Sequence, residues 1–438
     1  MEPMIPLRAQ AAALRAGRPP LTEHVERLCA RIDRLDPVVG AFVPEPGRHR
    51  RLAGAARAGE RLDPAARGPL YGVAVGVKDV VRVDGLPTHA GSALPPGVLA
   101  GPQAGLVDRL LAAGALIAGK TVTAEFAVRA PGPTRNPHDP AHTPGGSSSG
   151  SAAAVAAGLV PLAVGTQTVG SVIRPAAYCG VVGFRPTYGR IPVDGVIAHS
   201  PSLDTVGLFT ADLAGARLAA AVLCDDWRTP TVWQPRDSGR APVCAVPTGG
   251  YLERAEPAAR AEFERTLAAL REHGLTVRAL DLPEDFETLV RQLRVINRYE
   301  LAREHAALFA RFGALYRPET IAEIRRGHEI DPADHAAALH ARGAFRERLA
   351  ALTEVEGIDL WLGPAATGPA PRGLDSTGDA VMSLPWSYAG APALTLPAGH
   401  LGGLPLGLQC VAMPGADERL LDLAGVIEQH LVEQHLRR

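Results

Sequence analysis

Apolar positions recur along the chain in two rhythms. Residues 21–60 place Leu, Val and Ala at helical spacing among Arg and Glu, which predicts helices packed on the outside of a larger body. From Leu70 to Val83, LYGVAVGVKDVVRV alternates small and branched residues as buried strands do, with Lys78 inside the apolar run. GLVDRLLAAG then reads as a helix stopped by Gly114, and ALIAGKTV as the strand after it. The run Ala152–Gly165 predicts a buried helix turning into a buried strand. A second strand, helix and strand follow as PVCAV, AARAEFERTLAALREH closed by Gly274, and LTVRAL. Residues 284–350 are helical in pattern and rich in Arg, Glu and His, which suggests a helical cap or rim. ALTLPAG and GLQCVAM return to strand character before an amphipathic helix at about 417–432. Alternation of this kind predicts an α/β fold around a largely buried sheet. Between these elements, residues 131–151 are dense in Pro, Gly, His and Ser and predict an irregular loop.

Composition changes this picture little but excludes several functions. The 45 Lys and Arg nearly balance the 46 Asp and Glu, so no field of one sign attracts nucleic acid or an anionic membrane. Five scattered cysteines form no CxxC pair, which argues against a disulfide framework and fits a reducing cytoplasm. No apolar run is long enough to span a bilayer, and the N-terminal arginines interrupt any signal-like core.

Three short motifs fail on context. Gly114–Thr121 fits G-x-x-x-x-G-K-[ST], but a phosphate loop needs a strand before it and a helix after it, the reverse of the order here. Gly146–Gly150 fits G-x-S-x-G, yet NPHDPAHTPG before it cannot form the strand a nucleophile elbow requires. His138 and His142 have zinc-helix spacing, but Pro137, Pro140 and Pro144 forbid the helix. His328, His335 and His340 read as surface residues. No metal and no cofactor are expected.

The informative stretch runs from Thr143 to Gly189, where two serine-bearing, glycine-rich loops flank an Ala-rich helix and a strand. Folding back would bring Ser147 near Ser171. Together with GVAVGVKDVVRVDGLPT around Lys78, AGALIAGKTVTAEFA, SPSLDTVG and PWSYAGAPALTLPAG, this stretch resembles the amidase signature family over roughly residues 68–432. That resemblance implies one α/β/α domain over residues 1–438 around a large mixed β-sheet, with residues 1–66 as a helical segment packed on it. Residue by residue it implies Ser171 as nucleophile, Lys78 as base and Ser147 as the hydroxyl between them. Ser147 is chosen over Ser148 and Ser149 because the family's bridging serine stands 24 residues before the nucleophile. Backbone N–H groups of Thr168, Val169, Gly170 and Ser171 would form the oxyanion hole, without metal or cofactor. A lysine base must be neutral, and burial beside Val75 and Val77 is the expected way to make it so.

The chain departs from the family at Gln167, where an aspartate is usual, and at Val169, where a small residue is usual. The arginine commonly found two positions after the nucleophile is also shifted, with Ile173 there and Arg174 next. The leading expectation is an amidohydrolase acting on a small amide-type substrate, carbamates, ureas or esters included, with water resolving the acyl-enzyme. An amidotransferase subunit for glutaminyl-tRNA ranks second, because GRIPVDGVIAHSPSLDTVG looks more like free-standing amidases. An inactive, family-derived binding protein is third. Phe126, Tyr299, Phe312, Trp386 and Tyr388 are weak candidates for the pocket wall, and a homodimer is the default for a soluble enzyme.

Overall fold

The Val- and Ala-rich segments become strands of one sheet because most of them bury both faces. The computed structural model describes residues 3–228 and 242–436. Ten strands form the sheet: β1 (Ala74–Lys78), β2 (Leu116–Thr121), β3 (Leu162–Gln167), β4 (Val182–Arg185), β5 (Thr205–Thr210), β6 (Val243–Pro247), β7 (Thr276–Leu280), β8 (Leu360–Pro364), β9 (Ala393–Leu401) and β10 (Leu404–Val411). Their order is β2-β1-β3-β5-β4-β9-β10-β8-β6-β7. The two strand–helix–strand units legible in the sequence stand at opposite ends of this order. Helix Gly105–Ala112 joins β1 to its parallel neighbour β2, and helix Pro257–Glu272 joins β6 to its parallel neighbour β7. Such crossovers need a helix, whereas the central pairs from β3 to β8 run antiparallel. The result is a single α/β domain with a large mixed sheet.

Two expectations change in detail. The predicted strand over Leu70–Val83 is regular only from Ala74 to Lys78, so Lys78 ends the strand rather than standing in its middle. Beyond it the chain turns because Asp79, itself buried, accepts from Lys120 Nζ at 2.9 Å and from the His89 N–H. Lys120 is the lysine of the rejected phosphate-loop motif. It lies in β2 and meets a carboxylate, which agrees with that rejection. The second change is β7, whose residues are mostly exposed or half-buried as befits an edge strand.

Helix Ser149–Ala156 is buried at all eight positions, so it has no polar face. Its Ser, Gly and Ala composition follows from close approach. A Cβ at Gly150 would stand 2.2 Å from the Ala41 carbonyl oxygen and 2.4 Å from the Val122 nitrogen. Residues 284–350 are helical as expected, in Phe286–Glu304, Ala306–Phe312, Pro318–His328 and Pro332–Val355. His335 is not the surface residue anticipated. It is half-buried, its ring stacks on Tyr299 with centroids 4.2 Å apart, and its Nε2 lies 3.1 Å from Glu300 Oε1.

Candidate active site

Lys78 closes β1 with no exposed surface. Its Nζ donates to Ser147 Oγ at 2.8 Å and to Thr166 Oγ1 at 2.7 Å, Thr166 belonging to the neighbouring β3. The three serines after Gly146 are distinguished by their partners. Ser147, which follows a cis peptide bond, is the one that meets Lys78. Ser148 staples the loop to β3, donating to the Thr166 carbonyl at 3.1 Å and accepting from its N–H at 3.2 Å. Ser149 instead reaches the Val122 carbonyl at 3.4 Å.

Ser171 lies in the turn between β3 and helix Ile173–Cys179 and opens on a cavity of about 550 Å3. No hydrogen bond joins its hydroxyl to Ser147 or Lys78 among the described residues. The turn before it is held by Gln167. The Gln167 Oε1 accepts from the N–H groups of Val172 (2.8 Å) and Ile173 (3.0 Å), two of the donors a helix leaves unpaired at its start. Its Nε2 donates to Ser387 Oγ at 3.0 Å, and Ser387 donates in turn to the Val169 carbonyl at 2.5 Å. The substitution of an amide for the usual carboxylate thus has a use here, since a carboxylate has no proton to give Ser387. With these groups engaged, the N–H groups of Val169, Gly170 and Ser171 carry no internal hydrogen bond among the described residues. Gly170 itself has no room for a side chain, because a Cβ would stand 2.9 Å from that of Ala380.

Burial lowers the Lys78 pKa from the usual lysine value to about 7, with the Arg174 guanidinium adding to the effect and the Asp204 carboxylate opposing it. Asp204 is fixed by three donors, the Thr168 hydroxyl (2.6 Å) and the N–H groups of His199 (2.8 Å) and Ser200 (2.9 Å). Arg174 donates to the carbonyl of Gly146, next to Ser147, and to Thr377 Oγ1 at 3.2 Å. Neither Thr166 nor Asp204 was expected to take part from the sequence. Thr166 lies inside the stretch Thr143–Gly189 and Asp204 inside SPSLDTVG, and an acid bounded by Ser, Leu and Thr at the mouth of a buried strand was the available signal.

None of the five aromatic candidates lines the cavity. Phe126, in a left-handed conformation, is buried against Tyr316 and His305 at 4.7 and 4.6 Å between centroids, and Trp386 and Tyr388 are core residues. Tyr299 is occupied by His335, and Phe312 packs on the core from outside. Three of the five rings are drawn into the core, and the cavity wall is left to shorter and charged side chains such as Leu293, Asn297, Arg298 and Asp379. Among the described residues no cluster of three or more His, Cys, Asp or Glu could hold a metal, and no helix is long and apolar enough to cross a membrane.

A family model described as Amidase matches residues 23–421. The chain belongs to the amidase family. Its sequence relatives include a glutamyl-tRNA(Gln) amidotransferase subunit of Thermus thermophilus, 35% identical with 95% of each chain covered. The protein of the same name from Symbiobacterium thermophilum is 33% identical, with 93% of each covered. Among solved structures, an amidase crystal structure is 30% identical with a TM-score of 0.85, covering 98% of this chain and all (100%) of the other. The native peptide amidase from Stenotrophomonas maltophilia is 27% identical with a TM-score of 0.79, covering 98% and 97%. Family membership and the mixed-sheet fold expected from the motifs are therefore shown.

Proposed function

We propose that this amidase-family chain hydrolyses the C–N bond of a small carboxamide through an acyl ester on Ser171. The observation that carries the reading is a fully buried lysine with a pKa near 7, 2.8 Å from Ser147 Oγ. A serine hydroxyl is a poor nucleophile without a base, and a neutral lysine can be one. Ser171 Oγ attacks the amide carbon and passes its proton to Ser147, whose own proton goes to Lys78 Nζ. The oxyanion that forms is met by backbone N–H groups of Thr168–Ser171, of which each well-aimed donor contributes about 3–4 kcal/mol to the transition state. As the C–N bond breaks, the proton returns through Ser147 to the leaving amine. Water then repeats the sequence on the ester, releasing the acid and freeing Ser171. No step calls for a metal, so treatment with EDTA should leave the rate unchanged.

The test is turnover of amides by the purified chain, followed by amine release, with a fluorophosphonate probe to label Ser171. Absence of both would end this reading and favour a binding protein. A second reading rests on the name that the curated relatives share, which speaks for the amidotransferase against the preference drawn from GRIPVDGVIAHSPSLDTVG, while the proposal above rests on the geometry of Lys78 and Ser147. In that reading the chain is one component of a glutamyl-tRNA amidotransferase, its released ammonia passes to a partner chain, and a tRNA becomes a partner of the assembly. Copurification of partner chains from native extract, with amide turnover that depends on them, would favour it. Rapid release of ammonia by the chain alone favours the free amidase.

A further inference from the structure

Val169 stands where a small residue is usual, two positions before the reacting serine, and its half-buried side chain lines the cavity. Its carbonyl accepts from Ser387 Oγ at 2.5 Å, and Ser387 belongs to helix Leu384–Ala389. Residues three apart on a helix share a face, so this bond brings Val169 up to Leu384, which also lines the cavity. Val381, in the turn before this helix, and Leu293, on helix Phe286–Glu304, complete an apolar strip in the wall. Leu384, Val381 and Leu293 belong to one buried cluster and are 4%, 7% and 2% exposed. Val169 packs on that cluster and keeps more free surface than any of them. It extends the hydrocarbon of the strip to the turn that carries Ser171, which a glycine could not do, and its branch at Cβ holds the methyl groups in a fixed direction.

Charged residues elsewhere in the wall pair with one another, Glu323 meeting Arg298 at 2.7 Å and Arg129 at 3.8 Å. The reaction assigns the apolar strip to one half of the substrate. The leaving nitrogen takes its proton from Ser147, which lies against Lys78 at the end of β1. The carbonyl oxygen turns toward the backbone N–H groups of the turn. What remains to face Val169 is the third substituent of the reacting carbon, the acyl group. Hydrocarbon placed there leaves water together with the surface of Val169, whereas a hydroxyl placed there gives up its water for no partner.

We infer that Val169, Leu293, Val381 and Leu384 form an apolar acyl subsite, so that the substrates are amides of compact, branched hydrocarbon acids, with Val169 as the specificity-determining residue. The inference deepens the acyl-Ser171 reading and takes from it which half of the amide faces Val169, but the binding it requires is measurable without chemistry. Ligand titrations of Ser171→Ala, followed by NMR, should show isobutyramide binding about ten- to a hundredfold more tightly than lactamide, which has a hydroxyl in place of one methyl group. Equal affinity, tighter binding of lactamide, or no binding of either would overturn the inference. Adding Val169→Thr keeps the branch at Cβ and exchanges one methyl group for a hydroxyl, so it should cut that ratio by about fivefold or more. Val169→Ala, which removes the methyl groups, should cut it as well. The ratio is the readout because either change also touches the turn that holds Ser171. A ratio unmoved in both variants would refute the role of Val169. N-isopropylacetamide carries its branch on nitrogen instead, and Val169→Thr should weaken isobutyramide more than this ligand. Equal weakening, or the reverse order, would place the strip off the acyl side and overturn the assignment. Selective binding by Ser171→Ala with no amide turnover by the wild type would instead count against the hydrolase reading and leave the subsite standing.

Discussion

Replacing Lys78 by methionine should make the protein more stable while removing its activity. Lysine in an unfolded chain titrates near its usual 10.5, and in the folded chain near 7. Between those values the unfolded state binds a proton that the native state does not, so stability rises with pH, and the cost of the buried lysine is fullest below about pH 7. A tenfold difference in proton affinity is worth about 1.4 kcal/mol, so that cost is about 5 kcal/mol at about pH 6.5 and about 3 kcal/mol at about pH 8.5. Methionine has similar length and no proton to lose. The Met variant should therefore exceed the wild type by a margin that shrinks by about 2 kcal/mol across this window. Loss of the hydrogen bonds to Ser147 and Thr166 offsets part of the absolute gain but not its pH dependence. Taking the difference between the two proteins also cancels the buried cysteines, which both share. Urea unfolding at the two pH values is the assay. A wild-type minus variant difference that stays constant with pH would refute the depressed pKa and with it the case for Lys78 as base.

The same titration sets kinetics: kcat/KM should rise with pH through about 7 as Lys78 loses its proton, and Lys78→Ala should flatten that rise while costing on the order of 10²–10⁴ or more in rate. Ser171→Ala should form no acyl adduct, and an adduct detected by intact mass on this variant would remove Ser171 as nucleophile. Gln167→Leu strands the N–H groups of Val172 and Ile173, so it should cost about 2–4 kcal/mol in urea unfolding and lower kcat more than it raises KM. An unchanged stability would mean that the clamp is unimportant.

The sheet ends were legible because each is a local unit, a strand, a helix stopped by Gly114 or Gly274, and a parallel strand. The positions of Lys78, Ser147 and Ser171 were legible because each lies in a distinctive run, and the structure joins the first two directly. The end of β1 was not, since Val80, Val81 and Val83 are as buried as the strand itself and hydropathy cannot tell a buried turn from a strand. The use of Gln167 was hidden for another reason. Its partner Ser387 is 220 residues away, and nothing in either neighbourhood announces the other. The aromatic candidates were weak because nothing in their spacing ties them to the site, and none lines the cavity: Phe126, Trp386 and Tyr388 are core residues, while Tyr299 and Phe312 pack elsewhere.

The reach of the Gln167–Ser387 bond also orders events during synthesis. The segment carrying Lys78, Ser147 and Ser171 leaves the ribosome long before Ser387 does, and β9, which borders β4, follows later still. Contacts of such long sequence separation form late and slow folding. A nascent chain lacking its last quarter therefore carries the three side chains without the clamp that shapes the turn before Ser171. On the acyl-Ser171 reading, activity waits for Ser387, and termination between Ser171 and Ser387 leaves a fragment that carries all three reactive side chains without the clamp.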